Sequence, residues 1–175
     1  SLGIFFMVSL STAVTVQRMA DPLDAHLFAE AAELVRSMAP DGLGDLRYRT
    51  HRRGLKIWFG PETPTREHYE AQLLARRHVG GGDGVVLEVG FHAEHPDEAK
   101  NQAVADRLAR QAELWRAELG SAAQLDVFYG RDSWRRLSEV WEEIEDVEDD
   151  PDAAFEIASR LIDYVSVLEP IRLGD

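Results

Sequence analysis

The sequence predicts an α+β fold: a two-layer sandwich in which one mixed or antiparallel sheet of about five strands carries helices mainly on one face. Three observations predict it. Val85–His95 (VVLEVGFHAEH) alternates as a strand should, with Val85, Leu87, Val89, Phe91 and Ala93 on one side and Val86, Glu88, Gly90, His92 and Glu94 on the other. Leu46–His51 and Leu55–Phe59 alternate around a turn at Arg53–Gly54 and read as a β-hairpin. Apolar stripes at helical spacing run from Pro22 to Ala39 and from Pro151 to Pro170. A strict βαβ alternation is absent, which argues against a doubly wound nucleotide fold.

Each element has its local reason. Asp21–Pro22 is a helix start, and Leu27, Ala31, Leu34, Val35 and Met38 make the stripe of the first helix. In the hairpin, Leu55, Ile57 and Phe59 point inward, while Lys56 and Trp58 point outward beside Arg47, Arg49 and His51. Thr63–Pro64 reads as the start of a helix bearing Tyr69, Leu73, Leu74 and Arg77 and ending near Val79. Gly80–Gly84 then turns the chain into the Val85–His95 strand. Pro96 opens one long helix, striped by Val104, Leu108, Trp115 and Leu119 and stopped by Gly120. Leu125–Tyr129 is a short strand; in Trp134–Trp141 the spacing of Trp134, Leu137 and Trp141 fits a helix and the β-prone neighbours fit a strand, which is the reading preferred. Asp150–Pro151 caps the last helix, striped by Phe155, Ala158, Leu161, Ile162, Val165 and Leu168, with Pro170 as its end.

Composition bounds the rest. A chain of 175 residues with 45% hydrophobic and 29% charged residues can bury a core as a single globular domain, residues 1–175. The net charge of −13 opposes non-specific binding to nucleic acid and suits a basic partner. The absence of Cys removes disulfides, thiol catalysis and thiolate metal sites, and accords with a cytoplasmic location. Arg outnumbers Lys, which occurs only as Lys56 and Lys100, a bias that suggests a GC-rich bacterial source. No apolar run reaches the length of a membrane span. Gly3–Leu10 lacks the basic flank of a secretion signal. Ser1 is not an initiator, so Met7 and Met19 are alternative starts. Residues 1–16 have strand character and are expected to dock on a sheet edge or on a second copy, making a homodimer. Residues 142–150 fall within a run without Lys or Arg and read as a solvated acidic loop.

The chemistry-bearing residues gather on the second face of Val85–His95. The ordinary reading of Glu88, His92 and Glu94 is a solvated sheet surface with ion pairs. The sharper reading is an open site. If the hairpin lies beside this strand, Arg47, Arg49, His51 and Lys56 join Glu88, His92 and Glu94. His92 or His51 would then move a proton, with Glu88 or Glu94 as base and Arg47, Arg49 or Lys56 holding an anion.

As metal ligands, only His92 and Glu94 share a face at close spacing. Glu88 lies about 13 Å along the strand from His92, so the residue pattern assigns no metal and implies no cofactor. Gly80–Gly84 is not a phosphate loop, because those run from strand to helix and this one leads into a strand. A nuclease E-x-K signature fails because Gly90 occupies the Lys position.

Two functions fit these residues. The first is a non-catalytic binding or regulatory module that recruits a protein partner through the acidic 139–156 segment or the N-terminal strand. The second is an enzyme or small-ligand binder using the polar sheet face. A flat face with every charge paired would favour the module. A concave pocket in which His92 and Glu94 converge on a shared point would favour the site.

Overall fold

The computed structural model describes residues 22–144 and 150–174. The N-terminal extension 1–16 and most of the acidic loop lie outside the described residues, and so does the docking or dimer role expected of them. The described residues form one sheet of six strands: β1 (Leu46–His51), β2 (Gly54–Phe59), β3 (Glu67–Ala75), β4 (Val85–Ala93), β5 (Gln124–Phe128) and β6 (Arg131–Trp141). Their spatial order is β1-β2-β3-β4-β6-β5, with every pairing antiparallel. Four helices accompany the sheet: α1 (Pro22–Met38), α2 (Glu98–Arg110), α3 (Ala112–Leu119) and α4 (Ala153–Leu173). The α+β class is as the sequence predicts, with one strand more than expected. No helix among the described residues is long and apolar enough to cross a membrane.

The core lies between the helices and one face of the sheet. Tyr69 and Ala71 of β3, Leu87, Val89 and Phe91 of β4 and Leu137 of β6 supply the sheet side. Phe28, Ala31, Ala32 and Val35 of α1 and Ile157, Ala158, Leu161, Val165 and Leu168 of α4 supply the helix side, each at i, i+3, i+4 spacing. Trp115 of α3 and Leu108 of α2 complete it.

The additional strand is β3, and it replaces the helix expected to bear Tyr69, Leu73 and Leu74. Glu, Gln, Leu and Ala dominate this segment and favour a helix locally. Tertiary pairing overrides that preference, because β2 and β4 both present open edges that β3 satisfies along its length. The Gly-rich turn therefore joins two neighbouring strands by way of a short 3-10 turn, Arg76–His78. β3 also separates the β1–β2 hairpin from β4, so the condition that would bring Arg47 and Arg49 beside β4 is not met.

Three boundaries differ from expectation. The hairpin turn is Arg52–Arg53, since Gly54 already pairs with His51 and Gln72. The helix after Pro96 is two helices broken at Gln111, and the Trp115 indole donates to the Leu108 carbonyl across the break at 2.9 Å. α4 continues past Pro170 to Leu173, where the Gly174 N–H returns to the Pro170 carbonyl.

Glu139, expected in the acidic segment, is buried on the core face of β6. It accepts from Arg160 Nε and Nη2 at 3.0 and 2.7 Å, from Trp141 Nε1 at 2.8 Å and from Tyr164 Oη at 3.0 Å. Removing the carboxylate leaves these donors unpaired inside the molecule. Glu139→Ala should therefore lower unfolding free energy by about 2–4 kcal/mol in urea titrations. A loss below about 0.5 kcal/mol would show that water replaces the carboxylate.

Candidate metal centre

β3 and β4 each carry the sequence His-x-Glu: His68-Tyr69-Glu70 and His92-Ala93-Glu94. The register sets His68 opposite His92. In an antiparallel pair the two motifs then run outward in opposite directions from that His pair. All four polar side chains fall on the sheet face away from the helices, because residues two apart share a face.

The four groups converge. His68 Nε2 lies 3.4 Å from Glu70 Oε2 and 3.5 Å from Glu94 Oε1. His92 Nδ1 lies 3.5 Å from Glu70 Oε2 and 3.4 Å from Glu94 Oε1. All four atoms lie within 4.8 Å of one another. Atoms so spaced can share a point about 2.1–2.4 Å from each, close to the 2.0–2.2 Å bonds that zinc makes to imidazole and carboxylate.

The far atom of each group is held by a partner. The His68 Nδ1–H donates to the Thr65 carbonyl at 3.0 Å. The His92 Nε2–H donates to Glu88 Oε1 at 2.8 Å, and the Gln72 side-chain amide donates to the other Glu88 oxygen at 3.0 Å. Glu70 Oε1 lies 3.5 Å from His51 Nε2, and Glu94 Oε2 lies 3.8 Å from Lys56 Nζ. These partners assign the tautomers. In the neutral rings His68 Nε2 and His92 Nδ1 each aim a lone pair at two carboxylate oxygens. Neither nitrogen has a hydrogen-bond partner among the described residues.

Lone pairs facing carboxylates repel unless a cation lies between them. A proton is one such cation. Burial alone would push His92 down, but the Glu88 charge, the Glu88 hydrogen bond and the nearby Glu70 and Glu94 carboxylates hold it well above the usual imidazole value. Burial likewise pushes the carboxyls up, and the imidazoles overturn this. His51, His68 and His92 hold Glu70 well below its usual value, and His68 and His92 bring Glu94 to about 2. Yet 3.4–3.5 Å is long for a charge-assisted N–H···O bond, which closes to about 2.7–2.9 Å. The spacing suits a larger cation.

Neighbours complete the surface. Phe128 packs edge-on against the His92 ring with centroids 4.9 Å apart. Arg136, opposite His92 on β6, is buried with its guanidinium 4.1 Å from the Tyr129 ring. Above the cluster opens a cleft of about 440 Å³ lined by Glu70, Glu94, Lys56, Phe128, Tyr129 and Trp134 among others. A separate hollow of about 1090 Å³ lies between α2–α3 and the end of α4 and contains none of these residues.

This face is not the solvated surface of the ordinary reading. Glu88 and His92 are wholly buried, so β4 is covered on both faces. His51 and Lys56 reach the cluster, both through Glu70. Arg47 does not: it pairs with Asp45 and donates to the Gly60 carbonyl. Arg49 sits on edge strand β1, with β2 and β3 between it and β4. Neither arginine is placed to hold an anion at the cluster. Glu88 reaches His92 despite the distance along the strand, because Gly90 between them has no side chain and the two lean together.

His68, Glu70, Gln72 and Arg136 escaped the sequence reading. The repeated His-x-Glu was the available signal. Placing 65–79 on a helix hid it, since residues two apart lie on different sides of a helix. No family model, curated protein or solved structure matches the chain.

Two outcomes are expected. A Cβ on Gly90 would collide with the Leu137 carbonyl and with Ser138 on β6. Gly90→Ala should therefore cost about 3 kcal/mol or more in chemical denaturation, and a near-neutral variant would show that β6 yields. Because Glu94 is held low, its contribution to stability is present above its ordinary value and fades as pH falls towards 2. With chelator present, the stability gap between wild type and Glu94→Gln should close between about pH 4.5 and pH 2. A gap constant with pH would place that carboxylate outside the cluster.

Proposed function

We propose that this protein is a metal-dependent enzyme acting on a small molecule, with a divalent first-row transition ion held by His68, Glu70, His92 and Glu94. One observation carries the reading: two buried imidazole nitrogens and two carboxylate oxygens converge on a single point while the far atom of every group is held by a partner. Metal-binding His residues characteristically donate their other N–H to a carboxylate or a carbonyl, as His92 does to Glu88 and His68 to Thr65.

The donor set narrows the ion. Two nitrogens and two oxygens without thiolate suit Zn²⁺, Fe²⁺, Co²⁺, Ni²⁺ or Mn²⁺ better than Ca²⁺ or Mg²⁺, which prefer oxygen alone. Bound there, such an ion supplies Lewis-acid polarisation of a substrate oxygen or an activated water. The chain's own groups do the remainder. Glu88 and Gln72 fix the His92 ring. Lys56 lies beside Glu70 and Glu94 at 3.6 and 3.8 Å, where it orients both carboxylates. Glu94 has the most exposed side chain of the four, at 14%, and faces the cleft, so it is the ligand best placed to exchange with an incoming molecule.

The partner-recruiting module finds less support among the described residues. Glu139 is engaged beneath the sheet rather than offered to solvent. The cleft is concave, and Glu70 and Glu94 line it with the buried His92 3.4–3.5 Å behind them. Both features favour a site.

Chelator-treated protein titrated with Zn²⁺, Co²⁺, Mn²⁺, Ni²⁺, Mg²⁺ and Ca²⁺ tests the reading. At an ion concentration about 100 times Kd the native state gains about 2.7 kcal/mol, so the thermal midpoint should rise by several degrees with transition ions. Mg²⁺ and Ca²⁺ should leave it nearly unchanged. His68→Ala and His92→Ala should each abolish the rise, and His51→Ala should retain it. A midpoint unmoved by every ion would sink the metal centre.

A further inference from the structure

The metal reading leaves open what the cleft receives, and the walls of the cleft bear on that question. Glu70 and Glu94 lie at its base with Lys56 beside them, and Phe128, Tyr129 and Trp134 line one side. A divalent ion would balance Glu70 and Glu94, the buried Glu88 carboxylate and Arg136 guanidinium beside His92 offset each other, and the Lys56 ammonium is left as one net positive charge. Arg131 adds a second cation at the rim, its guanidinium stacked 4.9 Å over the Trp134 ring. The base of this cleft would then be cationic in a chain whose net charge is −13. Such a site concentrates anions.

The aromatic side has a different preference. Phe128 and Trp134 pack 5.7 Å apart and tilted, and Phe128 also meets the His92 ring. They form a continuous apolar wall rising from the metal ligands. A flat ring laid against it would gain offset or edge-on contacts worth about 0.5–1.5 kcal/mol beyond area burial. At about 440 Å³ the cleft has room for one small molecule and stands at the lower end of the usual range for ligand pockets.

We infer that the metal-loaded cleft binds a small monoanionic carboxylate with a flat aromatic body, its carboxylate against the ion and Lys56 Nζ and its ring against Phe128 and Trp134. One net positive charge at the base matches a monoanion. A phosphate dianion would require a second cation there, and Arg131 lies at the rim instead. This inference rests on the metal centre proposed above and adds the chemical class of its ligand.

The cobalt-loaded chain separates the two ideas, because Co²⁺ reports its own coordination in visible absorption. Benzoate should perturb the cobalt bands and saturate at a concentration about tenfold or more below acetate, the difference arising from the ring contacts. Lys56→Met, compared at saturating Co²⁺ so that any loss of metal affinity is titrated separately, should weaken benzoate binding by about tenfold. Trp134→Ala should narrow the gap between benzoate and acetate. Cobalt bands that ignore benzoate, or acetate binding as tightly as benzoate, would overturn the ligand class and leave the metal centre standing. Phenyl phosphate saturating before benzoate would likewise overturn it, in favour of a phosphate-bearing ligand. Failure of cobalt to load at all would remove the metal centre, and this inference with it.

Discussion

The pairing of His68 with His92 across β3 and β4 is the constraint on which the rest of the polar face depends. It places two imidazoles side by side and sends a glutamate outward from each along its own strand. With their outer nitrogens engaged, the two rings turn their inner nitrogens towards the carboxylates. A one-residue slip between β3 and β4 would turn one motif into the core and dismantle the cluster. Register is held because the opposite face is committed: Tyr69, Ala71, Leu87, Val89 and Phe91 must all meet the helices.

Burial gives the cluster its strength. On an open surface, imidazoles and carboxylates would be screened and interact weakly. Here Phe128 and neighbouring side chains cover the second face of β4, while α4 covers the first. Glu88, His92 and Gly90 therefore sit inside the molecule. The absence of a side chain at Gly90 serves two ends. It lets Glu88 and His92 meet, and it lets β6 approach closely enough for the Leu137 carbonyl and Ser138 to occupy the space a Cβ would need. A buried network with a complete outer ring of partners keeps its donors in place before any ligand arrives.

A second polar network lies on the helix side of the sheet. Tyr69 donates to Glu169 at 2.6 Å, Arg172 joins Glu169 to Glu67, and His95 Nε2 lies 2.9 Å from Glu67. Here every carboxylate meets an Arg or Tyr donor, and no lone pair is aimed at a negative charge. The same residue types are thus used in two ways: beneath the sheet they tie α4 to β3, and above it they leave a cation-sized demand unmet by their own hydrogen bonds. That contrast distinguishes the candidate site from ordinary buried pairing.

The sequence by itself determined the α+β class, the β1–β2 hairpin, the alternation of β4, the stripe of α4 and the candidacy of His92, Glu88, Glu94, His51 and Lys56. Those follow from local periodicity and turn chemistry, which a chain carries within a few residues. Tertiary structure decided that 67–75 is a strand, since its helix-favouring residues yield only when two open strand edges flank them. It also decided that Arg47 and Arg49 sit at the far edge, that Glu139 turns inward and that His68 and Glu70 complete the cluster. Strand order and register are set by which edges remain unpaired and which faces must be buried across the whole sheet, and no window of sequence contains that information.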